Sequence, residues 1–76
     1  MTFASLAALT QQFVGQHGIS NALVAKLSAA AAAVSRGDLA AEAGALNAYI
    51  NQLSAQSGKA LTAAQAALLQ QLAETL

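Results

Sequence analysis

The chain has no cysteine, no proline and no tryptophan, and Phe3, Phe13 and Tyr49 are its only aromatic residues. Without cysteine there is neither a disulfide framework nor a thiolate metal site, so packing alone must hold the fold. Without proline nothing interrupts a helical hydrogen-bond ladder. Charge is scarce too: Lys26, Arg36 and Lys59 balance Asp38, Glu42 and Glu74, scattered along the sequence. No basic stripe exists to displace counterions from a phosphate backbone or to meet an anionic bilayer, so neither nucleic acid nor a membrane surface is an expected partner.

Long apolar runs are also missing. The longest, Ala29 to Val34, falls far short of the roughly 20 residues of a spanning helix, and no membrane span is expected. The hydrophobic fraction of 57% owes much to alanine, which fills 22 of 76 positions. The N-terminal residues Met1-Thr2-Phe3-Ala4 show neither a basic region nor a cleavable apolar stretch, so no signal peptide is read there. A module from within a longer secreted protein would look the same. The length fits one domain over residues 1–76, near the lower limit for a core without covalent staples.

What is present favours helix. Alanine, leucine and glutamine have high helix propensity, and glycines mark the breaks. The spacing predicts four helices, at about residues 2–14, 20–35, 38–56 and 62–75. Thr2 is placed to cap the first and Ser20 the second, with Gln16-His17-Gly18 as the connecting loop. Asp38 caps the third, whose Leu39, Ala43, Leu46, Ile50 and Leu53 recur as a buried stripe. Thr62 and Gln65 form a capping-box pattern for the fourth. Connections this short predict an all-α, up-and-down antiparallel four-helix bundle. Its expected core is Phe3, Leu6, Leu9, Phe13, Ile19, Leu23, Leu27, Val34, Leu39, Leu46, Ile50, Leu53, Leu61, Leu68 and Leu72. The small side chains of Ala29 to Ala33 invite close approach of another helix, internal or from a second copy.

Chemistry is sparse. His17 has no second ligand at metal spacing and reads as a solvent-facing loop residue. Asp38 and Glu42 stand four apart, but a cap and a first-turn acid explain both. No serine sits in a nucleophile elbow. Catalytic, cofactor-binding and metal-binding residues are therefore expected to be none. Arg36-Gly37-Asp38 spells the tripeptide that integrins read in extended loops; here it crosses a helix junction that commits its residues to structure. Tyr49 either borders the core with its hydroxyl in water or offers a stacking surface to a sugar, with Gln52 on the same face. Tyr49 and Gln52 are thus the candidate ligand-contacting pair.

The segment Leu46-Asn47-Ala48-Tyr49-Ile50-Asn51-Gln52-Leu53, followed by Gln56-Ser57-Gly58-Lys59-Ala60-Leu61-Thr62, resembles the hallmark of the FIMAH-type helical module, in which L-N-A-F-I-N-Q-V leads into Q-x-G-K-x-I-S. Upstream, Phe13-Val14, Gly18-Ile19, Leu23, Leu27 and Arg36-Gly37-Asp38 fall in the matching order. The resemblance runs from about Phe3 to Leu72, with Tyr49 where the family commonly has Phe and Leu61 where it has Ile. It implies an extracellular, non-catalytic accessory domain at the C-terminal end of a secreted multidomain bacterial protein, serving attachment, spacing or contact with another protein or a surface polymer. The alternatives are a self-associating domain that pairs as a homodimer through Ala29 to Ala33, Leu69 or Leu76, and a carbohydrate-binding module using the face around Tyr49.

Overall fold

A computed structural model describes residues 2–76; Met1, the first position of the expected domain, lies outside the described residues. Four helices follow one another: α1 (Phe3–Phe13), α2 (His17–Ser35), α3 (Leu39–Gln56) and α4 (Ala63–Ala73). They form an all-α bundle in which α1 adjoins α2, α2 adjoins α3, α3 adjoins α4, and α4 returns to α1. The α2–α3 contact is the most extensive. The diagonals α1/α3 and α2/α4 make no close backbone approach among the described residues.

Local chemistry sets most helix ends where the sequence puts them. Ser5 N–H donates to Thr2 Oγ1 at 3.1 Å and Ala41 N–H to Asp38 Oδ1 at 3.1 Å. At α4, Gln65 N–H donates to Thr62 Oγ1 while Thr62 N–H donates to Gln65 Oε1, closing the capping box. The α2–α3 turn closes when Gly37 N–H donates to Val34 O and Asp38 N–H to Ala33 O, each at 2.9 Å. That geometry requires φ of +74° at Gly37, where a side chain would be strained. Gly58 does the same between α3 and α4 with φ +78°.

The start of α2 departs from the expectation. The helix begins at His17, one turn before the predicted cap Ser20, and the intended loop supplies its first residues. Ser20 is instead an interior position. It lies on the line of Leu23, Leu27 and Ala30, and it is 4% exposed. Starting a turn early lets Ile19 pack against the core. Gly15 and Gly18 accordingly need no positive φ.

The core comprises Leu6, Val14, Leu23, Leu27, Tyr49, Leu53, Leu61, Ala66, Leu69 and Ala73, with Phe3, Leu9, Phe13, Ile19, Leu46, Ile50 and Leu72 half-buried around it. Three expected core residues are exposed: Val34 at 44%, Leu39 at 70% and Leu68 at 42%. Helix lengths explain two of them. α2 and α3 have 19 and 18 residues, whereas α1 and α4 have 11 each. At 1.5 Å per residue the long pair reaches about 28 Å and the short pair only about 16 Å. The groove lined by Phe3, Ala4 and Ala7 of α1 with Leu27, Ser28 and Ala31 of α2 marks where α1 begins alongside α2. Beyond that level α2 and α3 continue as a two-helix tip, and Val34 and Leu39 sit on it without a third helix to cover them.

Leu68 has a different cause. The inner line of α4 is Ala66, Leu69 and Ala73, whose alanines allow close packing, and this turns Leu68 outward. Leu69, expected to be left over for self-association, is fully buried.

Candidate functional site

Tyr49 lies on the inner face of α3 one turn before Leu53, and its ring is 0% exposed. Its hydroxyl is 2.8 Å from Thr10 Oγ1 on α1. Thr10 spends its own proton on Leu6 O, also at 2.8 Å, so the phenol is the donor in the pair. The bond joins two diagonal helices across the bundle interior. Burial raises the phenol's pKa above its ordinary 10.0.

This placement corrects the sequence expectation for Tyr49. The ring offers no stacking surface and the hydroxyl does not reach water; both are used by the fold. Gln52, the other candidate, is half-buried, and its Oε1 is buried without a hydrogen-bond partner among the described residues. Neither side chain presents an open ligand-contacting face, so the structure does not assemble a sugar platform from them. Asn47 and Asn51 are exposed on the outer face of α3.

Thr10 was not singled out in the sequence. The signal was nevertheless there: Phe3, Leu6, Thr10 and Phe13 share one helical face, and a polar residue in an apolar stripe needs a partner. The only distant side chain with both apolar bulk and a hydroxyl is Tyr49.

The remaining candidates take structural places. His17 is exposed at the first position of α2 rather than in a loop. Asp38 caps α3, with Glu42 in the first turn. Arg36 and Gly37 close α2, so the tripeptide forms a tight turn. No group of three or more metal-ligating side chains occurs among the described residues. Ala30 and Ala33 are buried, which commits the inner side of the Ala29 to Ala33 stretch to the bundle itself.

α2 is long and apolar enough, by length and composition alone, to cross a bilayer. In the bundle its Ser20, Leu23, Leu27, Ala30 and Ala33 line is buried, and Lys26 interrupts the apolar composition near its middle.

Two surface features remain. One is the α2–α3 tip with Val34 and Leu39 exposed. The other is an open cavity of ≈ 460 Å³ at the α1–α2 junction, lined by Gln11, Val14, Gly15, His17, Ser20 and Asn21. No protein-family model, curated protein or solved structure matches the chain.

Proposed function

We propose that the chain is a non-catalytic accessory module of a secreted bacterial protein, and that it makes protein–protein contact through the α2–α3 tip. The observation that carries this reading is the exposure of Val34 and Leu39 on a two-helix overhang that α1 and α4 are too short to cover. A domain with so little charge and, among the described residues, three large exposed apolar side chains has placed two of them together at one end. Contact residues of this kind are commonly apolar with a polar surround, and here Ser35, Arg36 and Asp38 adjoin them in sequence. The extracellular setting rests on the resemblance of Leu46 to Thr62 to the FIMAH-type segment.

The test is light-scattering mass over a hundredfold range of protein concentration. A constant 7.6 kDa monomer supports a tip that awaits a different protein. Growth in mass that Val34→Gln with Leu39→Gln abolishes would replace this reading with self-association.

A further inference from the structure

We infer that the α2–α3 tip takes a short amphipathic helix of a partner protein, one that sets a lysine or arginine within its apolar face. The inference rests on the tip being the contact surface, and it names what fits there.

Both long helices carry their inner line past the point where the short ones stop. On α2 the line is Leu23, Leu27, Ala30 and Val34; on α3 it is Leu53, Tyr49, Leu46, Glu42 and Leu39, at steps of four and three throughout. α1 begins beside Leu27 and Ala31. Gln70 Nε2 of α4 donates to Ser54 Oγ at 2.9 Å, and the helix ends within a turn of that bond at Ala73, beside the middle of α3. The 19 residues of α2 against the 11 of α1 leave a column about 12 Å long, room for about two turns of helix. Val34 and Leu39 border that column and are exposed. The backbone groups of α2 and α3 are engaged in their own helices, so a partner strand has no edge to join. A helix that packs there as α1 and α4 pack lower down completes the bundle through side chains alone.

Glu42 sets the charge of the occupant. It holds an inner-line position two turns before Tyr49, between Leu39 and Leu46, and is half-buried. Its carboxylate has no hydrogen-bond partner among the described residues. Arg36 and Asp38, both exposed at the turn, offset one another, which leaves a single negative charge in an otherwise apolar line. A wholly apolar helix would strip water from that carboxylate and give nothing back. A lysine or arginine in the docking face supplies the missing partner.

The test is an amide NMR titration of the whole chain at neutral pH with a blocked, alanine-rich helical peptide that repeats leucine at every third or fourth position and carries one lysine on that face. A control peptide has glutamine for the lysine. The lysine peptide is expected to shift amides from Ala31 to Leu46 saturably and to bind about threefold more tightly than the control. Glu42→Gln, with folding checked by the thermal melt, is expected to erase that margin. Equal binding of the two peptides, or a margin that survives Glu42→Gln, overturns the basic helix as occupant while leaving an apolar tip contact in place. Shifts only outside the tip, or none, overturn it as well, and tip shifts that appear on concentrating the chain alone do so by making a second copy the occupant. If Val34→Gln with Leu39→Gln leaves peptide binding unchanged, the tip reading itself falls.

Discussion

Tyr49 donates a hydrogen bond to Thr10 across the diagonal of the bundle, tying α3 to α1 through the core at 2.8 Å. The two partners are not equivalent. Removing the phenol leaves Thr10 still bonded to Leu6 O, whereas removing the threonine hydroxyl strands a buried phenol.

That asymmetry predicts unequal costs. Tyr49→Phe should lower stability by about 1 kcal/mol and Thr10→Val by about 2 kcal/mol, since an orphaned buried donor costs more than a lost bond. The double variant should lose less than the sum, because each single change breaks the same interaction. Urea denaturation of the four proteins measures the coupling; additivity would mean the hydroxyls do not interact.

The raised Tyr49 pKa fixes a pH dependence. The folded chain holds the phenolic proton more tightly than the unfolded chain. Its contribution is therefore complete below about pH 10 and is lost as pH rises toward the folded value, with a slope of up to about 1.4 kcal/mol per unit. Melting temperatures from pH 8 to 11 should fall more steeply for the natural chain than for Tyr49→Phe. Equal slopes would show that the phenol ionises without regard to folding.

Glycines offer a contrast between turn and helix. Gly37 has φ +74°, so Gly37→Ala should cost about 1 kcal/mol despite open space around it. Gly44 lies inside α3, and a Cβ there would meet nothing within 4 Å. Gly44→Ala should add up to about 1 kcal/mol, a rise of roughly 4–8 °C in melting temperature for a domain this small. Calorimetry of both variants checks the pair of signs.

The helix count, three of the four caps and the two glycine turns were legible because they depend on residues within a few positions of one another. Thr2, Asp38 and the Thr62–Gln65 box are such local signals. The α2 start was misread because Ser20 has the right chemistry for a cap, and only the tertiary position of Ile19 and Ser20 draws the helix back to His17. Leu39 was read as core from periodicity, yet whether a stripe is buried depends on the length of the helices facing it. Tyr49 and Thr10 are 39 residues apart, and their pairing comes from topology, which spacing along one helix does not encode.

Gln52 supplies a test of the same kind. Its buried Oε1 has no partner among the described residues, so the near-isosteric Gln52→Met should leave stability unchanged or raise it by about 1 kcal/mol. A loss above about 1 kcal/mol in urea denaturation would show that the amide makes interactions the fold requires.

The most direct test of the central claim, that the α2–α3 tip carries apolar surface the fold does not use, is the stability of Val34→Gln combined with Leu39→Gln, set beside Leu53→Ala as a core reference. The tip variant should stay within about 0.5 kcal/mol of the natural chain, while Leu53→Ala should lose about 2–5 kcal/mol. A loss of 2 kcal/mol or more in the tip variant would show that Val34 and Leu39 hold the bundle together, and would contradict a surface left free for contact.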